Sequence, residues 1–366
     1  MNSRIVFSLL LSGFLGFSQS GEDPRKYTLD ANAFYGSIIL HNPDISHLIS
    51  EHPSGVILSA NRKTFGYQDW EAAYNYPDIG YSFVYQNFNN PTLGENFGLY
   101  AHYNFYFFGR NLQFRLGQGI AYTTNPYDKN TNFRNNAFGT TLLSSTFLLL
   151  NFHRENLVDG LGVKAGIAIV HYSNANFKAP NTSTNTFAFN AGITYDLDKD
   201  IHPDFLTPAV KQFHSGRLRY NLVFRFGLNE SDVVNSGQFP FYIASFYMDK
   251  RLSHKSAVQL GTDLFFSNFL KELIAYQSVA LPELNVTPGT DYKRAGVFAG
   301  HELFINRLSI ITQLGYYVYY PFDFEGRLYN RIGLKRYFGD TWFGAITLKS
   351  HGAKAEAVEF GLGVRL

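Results

Sequence analysis

The sequence predicts an all-β chain, an antiparallel transmembrane β-barrel of 12–16 strands with sixteen the preferred count. Three observations carry that expectation. Charged residues fill only 16% of the 366 positions while aromatics reach 17%, against roughly 25% charge in ordinary soluble domains. Mean hydropathy is −0.15, and no apolar run approaches the about 18 residues that mark a spanning helix. From Tyr27 onward, apolar and polar residues alternate in segments of about ten, separated by Asn, Asp, Gly and Pro clusters, as in strands with one face in lipid and one in water. Other classes fall away on the same composition. The chain has no Cys, which removes disulfide frameworks, thiolate zinc sites and cysteine nucleophiles. A net charge of +2 without a basic stripe gives nucleic acid no footprint, and the aromatic content is too high for disorder.

Residues 1–20 have the form of a signal peptide. Arg4 is the basic start, Ile5 to Phe17 the apolar stretch, and Ser18 and Ser20 offer a cut near Gly21 or one step earlier, before Gln19. Residues 21–366 then form the barrel. Its strands are expected near 28–40, 53–62, 78–87, 95–108, 111–122, 138–152, 159–173, 183–195, 216–227, 238–249, 255–266, 292–305, 307–320, 327–337, 341–349 and 354–366. Each shows period-2 alternation. In the fourth, Phe97, Leu99, Ala101, Tyr103, Phe105 and Phe107 alternate with Gly98, Tyr100, His102, Asn104 and Tyr106. In the last, Val358, Phe360, Leu362, Val364 and Leu366 alternate with Glu359, Gly361, Gly363 and Arg365. A soluble sandwich alternates too. Long strands, short turns such as Phe108-Gly109-Arg110-Asn111 on one side and longer polar loops on the other favour the outer-membrane pattern. Loops at 123–137, 174–182, 228–237 and 267–291 are then extracellular, while 63–77 and 196–215 fall on the periplasmic side, where both are unexpectedly long.

Two tempting motifs carry no chemistry. Gly160-Leu161-Gly162-Val163-Lys164-Ala165 imitates a dinucleotide fingerprint but opens a strand rather than a helix. His41, His47 and His52 are too loosely spaced for a metal site and read as surface histidines.

One segment does stand out, His171-Tyr172-Ser173-Asn174-Ala175-Asn176-Phe177-Lys178-Ala179-Pro180-Asn181. It ends a strand whose odd face, Leu161, Val163, Ala165, Ile167 and Ile169, is continuously apolar, while Lys164 among small residues marks the even face as the lumen. His171 and Ser173 continue the odd, lipid-facing side. In the next strand Asn185 extends the apolar face of Phe187, Phe189, Ala191, Ile193 and Tyr195. If 171 lies opposite 185, then His171, Ser173 and Asn185 form one outward cluster near the extracellular rim, since opposed Cβ atoms are about 5 Å apart. A hydroxyl, an imidazole and a group that orients the imidazole are what serine acyl transfer requires.

The motif His171-x-Ser173-Asn174-Ala175, followed by Lys178-x-Pro180-Asn181, resembles the signature of the lipid A 3-O-deacylase (PagL) family, related to acyloxyacyl hydrolases. That resemblance implies an outer-membrane serine esterase of a Gram-negative bacterium that removes an acyl chain from lipid A. It implies Ser173 as nucleophile, His171 as general base, and Asn181 with nearby backbone N–H groups as the oxyanion donors. Around the same turn, donors are read near Asn174 and Asn176 as well, and Lys178 on the outer loop is read as a contact for a lipid phosphate. The resemblance covers little more than one hairpin, and the family's usual eight-stranded barrel leaves half of these strands unaccounted for. Its usual Glu stands here as Asn185. A Ser–His–Asn set is similar instead to outer-membrane phospholipase A, a calcium enzyme, although that family's Gly after Ser-Asn is Ala175 here and its Tyr-Thr-Gln motif is missing. The deacylase reading needs no cofactor and no metal; calcium belongs only to the phospholipase alternative. The partners expected are lipid A or phospholipid of the outer leaflet, and a second copy of the chain in a homodimer. From a different class, a non-enzymatic porin or transporter would suit a large lumen lined by Arg115, Arg217, Arg219 and Arg225.

Overall fold

A computed structural model describes residues 25–207 and 216–366; the signal-peptide expectation at 1–20 lies outside them. Among these residues there are sixteen antiparallel strands. They are β1 (Tyr27–Ile38), β2 (Ser54–Arg62), β3 (Asp78–Asn87), β4 (Glu95–Phe107), β5 (Leu112–Thr123), β6 (Leu142–Val158), β7 (Leu161–Ser173) and β8 (Thr184–Asp196). After a connection through 197–218 come β9 (Arg219–Asn229), β10 (Phe239–Arg251), β11 (Ser256–Ser267), β12 (Arg294–Ile305), β13 (Leu308–Tyr319), β14 (Leu328–Phe338), β15 (Trp342–His351) and β16 (Lys354–Arg365). Every expected strand is present, and most ends fall within three residues of the sequence reading.

How the strands close differs from the expectation. They form two separate barrels of eight, β1–β8 and β9–β16, not one large cylinder. β1 pairs with β8 from Thr28↔Asp196 to Ile38↔Thr186, and β9 pairs with β16 from Asn221↔Arg365 to Phe226↔Phe360. The long 196–215 segment, of which 208–215 lie outside the described residues, falls between the last strand of one barrel and the first of the next, so it does not join a hairpin. The 63–77 stretch holds a short helix, α1 (Asp69–Ala73).

Both barrels are inverted relative to a soluble protein. Leu29, Leu99, Phe189 and Ile193 are 45–70% exposed on the first outer wall, and Leu222, Phe224, Leu260 and Leu362 are similarly exposed on the second. The interiors are polar and filled. In the first barrel Asp30 holds Arg115 at 2.7 Å and Lys164 at 2.9 Å. In the second, Arg331 bridges Glu359 at 2.6 Å and Asp263 at 3.0 Å. An eight-stranded barrel is just wide enough for side chains to fill. The arginines expected to line a channel do otherwise. Arg115 and Arg225 are buried inside these networks, whereas Arg217 and Arg219 are exposed at the start of β9.

The barrels stand side by side with like ends together. We call the end carrying loops 39–53, 88–94, 124–141 and 174–183 the upper rim. There, Asn176 Nδ2 donates to Glu230 O at 3.1 Å. At the lower rim the Tyr74 hydroxyl donates to Phe304 O at 2.8 Å, and Asn306 Nδ2 donates to Gln68 Oε1 at 3.1 Å. The upper rim of the second barrel also bears α2 (Asn268–Ala280), whose Phe269, Leu270, Leu273 and Ile274 pack with Phe322.

Candidate active site

The register of β7 against β8 places His171 opposite Asn185. Their side chains meet: Nδ1 of His171 lies 2.8 Å from Asn185 Oδ1. The amide oxygen is an acceptor, so it selects the tautomer with the proton on Nδ1 and leaves Nε2 as the basic nitrogen. Strand parity sets the direction. Leu161, Val163 and Ala165 on the same face of β7 are exposed, while Lys164 is buried on the opposite face with Asp30. His171 and Ser173 therefore sit on the outer wall at the upper rim. Their strand is anchored from within, because Ser145 Oγ donates to His171 O at 2.7 Å and itself accepts from the Tyr100 hydroxyl at 2.6 Å.

Ser173 is 6% exposed, and its hydroxyl is engaged on two sides. It donates to Asn181 Oδ1 at 3.0 Å and accepts from the Ala175 N–H at 2.9 Å. The same Asn181 oxygen accepts the Asn174 N–H at 2.8 Å. A backbone N–H can only donate, which fixes the Asn181 amide with its oxygen toward Ser173. Asn181 thus faces the serine as an acceptor, where the sequence reading had it among the oxyanion donors. The side-chain amides of Asn174 and Asn176, near which the sequence reading places further donors, are also engaged. Asn174 Nδ2 closes the turn on Lys178 O at 2.6 Å, and Asn176 Nδ2 reaches Glu230 O. The donor that touches the serine oxygen is backbone, from Ala175. Ala175 and Asn176 are left-handed, with φ of 53° and 62°; Asn tolerates that region better than most residues. The Lys178 side chain is exposed. The three early histidines are likewise exposed, and each meets a backbone carbonyl: His41 with Thr182, His47 with Arg134 and His52 with Gly36.

Two neighbours clamp the 174–183 loop. On one side is loop 124–141: Thr182 Oγ1 donates to Asn136 O at 2.7 Å, and a Cβ on Gly139 would come within 2.5 Å of Lys178 O, so only glycine permits this approach. On the other side is the second barrel's loop 230–238, with Glu230 and Gln238. The sequence reading missed these two residues. They lie some fifty positions beyond the motif, and no local periodicity or spacing ties them to it.

Fold and site together define an outer-membrane-type β-barrel protein whose first barrel carries an oriented imidazole and a buried serine on one face of its wall. The lipid A 3-O-deacylase (PagL) family model matches residues 54–194, and the model described as acyloxyacyl hydrolase, C-terminal domain matches residues 218–366. The chain belongs to the lipid A 3-O-deacylase family, and its second barrel is the C-terminal domain that the second model describes. No curated protein sequence matches the chain. Solved structures similar to it include a mutant porin of Rhodopseudomonas blastica, at 8% identity and a TM-score of 0.18, covering 93% of this chain and 99% of the porin. OccAB3 of Acinetobacter baumannii is similar at 11% identity and a TM-score of 0.22, covering 93% and 98%. Scores that low carry no argument about this chain.

Proposed function

We propose that the protein is an outer-membrane serine esterase that removes an acyl chain from lipid A in the outer leaflet. The observation that carries this reading is the His171–Asn185 hydrogen bond, on the same outward face as Ser173. Ser173 and His171 are two residues apart on one strand, about 6.6 Å along it, a span that two side chains can close. In the resting arrangement the serine hydroxyl donates to Asn181 Oδ1. Rotation about χ1 transfers that bond to His171 Nε2, which takes the proton as Oγ attacks the ester carbonyl. Catalytic hydrogen bonds are commonly incomplete in the substrate-free state. The oxyanion then meets the Ala175 N–H, released as Oγ attacks, and the Asn174 N–H, which at rest is held by Asn181 Oδ1; one such donor is worth about 3 kcal/mol. His171 returns its proton to the leaving alkoxide, and water releases the fatty acid from Ser173 by the same steps in reverse order.

Placement on the outer wall suits a substrate that arrives laterally and stays in the membrane. Lys178, exposed on the loop beside Ser173, would meet a lipid phosphate. No cofactor enters this scheme. The phospholipase alternative rests on Asn185 as third member and would bring a calcium requirement.

Mass spectrometry of lipid A from a host that lacks such an enzyme tests the reading. Expression of the wild-type chain should remove one acyl chain, expression of Ser173→Ala should not, and chelation should leave the result unchanged. Intact lipid A with hydrolysed phospholipid, abolished by chelation, would transfer the site to the phospholipase class.

A further inference from the structure

The second barrel has no evident part in the chemistry, yet one of its residues is built into the catalytic loop. Glu230 follows β9 directly and is 2% exposed. Its Oε2 accepts the Ala179 N–H of the first barrel at 2.9 Å, and its Oε1 accepts the Gly237 N–H of its own loop at 3.0 Å. Its backbone doubles the grip: Glu230 O accepts Asn176 Nδ2 at 3.1 Å, and Glu230 N–H donates to Asn176 O at 3.2 Å. Gln238 Nε2 adds a bond to Phe177 O at 2.8 Å. These contacts fall on residues 176, 177 and 179, between Ser173 and Asn181. They include the left-handed Asn176, next to the Ala175 whose N–H reaches the serine oxygen.

We propose that Glu230 is a positioning residue through which the second barrel fixes the 174–181 turn, and with it the backbone donors at Ser173. The proposal rests on the serine-esterase reading above. A carboxylate suits the task because it only accepts, so it can hold one N–H from each barrel at once. A buried carboxylate that has lost its hydrogen bonds is costly, which makes the arrangement all-or-none. No side chain of the second barrel needs to touch substrate. Its contribution is the placement of two N–H groups, and a displacement of about 1 Å can cost about 10²-fold in rate.

The experiment uses the full-length chain in detergent and a fluorophosphonate probe, with which Ser173 Oγ forms a bond to phosphorus as fluoride leaves. This reads serine reactivity without lipid binding. Glu230→Ala should label about 10–10²-fold more slowly, with lipid A kcat reduced in parallel and KM within about twofold of wild type. Asp232→Asn, two residues from Glu230, which breaks an exposed pair with Lys354, should label at the wild-type rate. If Glu230→Ala is not recovered folded, Glu230→Gln is read in its place; it keeps one acceptor and should label about three- to tenfold more slowly. Wild-type labelling of a folded Glu230→Ala or Glu230→Gln, or a change confined to KM, overturns the role. Failure of the underlying reading looks different: Ser173→Ala would then label or deacylate as well as wild type, whatever Glu230 does.

Discussion

The two barrels share an eight-strand plan, an apolar wall and a charged interior, and they part ways at the upper end of their last hairpin. In the first, β7 and β8 are joined by residues 174–183, which fold back so that Asn181 reaches Ser173. In the second, β15 and β16 are joined by Gly352 and Ala353 alone, with Gly352 at a φ of 60°. Two-residue turns with positive φ match the twist of paired strands and leave no chain to build a site. There Ser350 accepts from Asn330 Nδ2 at 2.7 Å, while His351 Nε2 turns inward to Glu356 at 2.7 Å. A serine and a histidine at the end of a barrel strand are therefore not enough. The proposed site has both on the outer face, a partner across the next strand, and a loop long enough to bring backbone N–H groups back to the serine.

The strongest way to break this comparison is to remove the serine or the imidazole from each barrel in turn. Ser173→Ala and His171→Ala should each lower deacylation by about 10³-fold or more. Ser350→Ala should leave turnover unchanged. Lipid A mass spectrometry reads all three, with folded barrels verified by heat-modifiable gel mobility.

Next in size is Asn185. It orients His171 without supplying charge, so Asn185→Ala should cost about 10²-fold, less than loss of the serine. Asn185→Glu should stay active while the acidic limb of its pH–rate profile moves to higher pH. A carboxylate beside the imidazole favours the protonated form, which cannot act as base, so neutral imidazole is reached only at higher pH. A folded Asn185→Ala with wild-type turnover would reduce the site to a serine–histidine pair.

The interiors sharpen the comparison on stability. Arg331 serves two buried carboxylates, Glu359 at 2.6 Å and Asp263 at 3.0 Å, whose other cation among the described residues is the more distant Arg225, at 3.6 and 3.8 Å. Arg115 serves Asp30, which retains Lys164. Removing one partner of a buried pair costs about 3–5 kcal/mol. Arg331→Met should therefore lower the temperature of the gel-mobility transition more than Arg115→Met does. Equal shifts would mean that the second carboxylate adds nothing to the cost of losing its arginine.

The smallest effect is expected at the exposed Lys178. A surface charge contact is worth about 0.2–1 kcal/mol, so Lys178→Ala should raise KM for phosphorylated lipid A by no more than about fivefold, leave kcat unchanged, and lose even this effect at high salt.

Alternation by twos was enough to place the sixteen strands, since each side chain's face follows from its parity alone. The same parity put His171, Ser173 and Asn185 on one side, because hairpin neighbours in sequence are neighbours in the sheet. Closure had no such signal. A strand that ends a barrel has the same pattern as one that continues it, and whether β8 pairs with β1 or with β9 depends on side chains far apart in sequence filling a common interior, as Asp30, Arg115 and Lys164 do. The one trace left in the sequence was a 196–215 segment too long for a turn. The resting partner of Ser173 and the grip of Glu230 on the loop were likewise decided only by tertiary structure. Both depend on irregular backbone, where no period relates position to direction, and on two barrels whose contact at the upper rim brings residues 176 and 230 together.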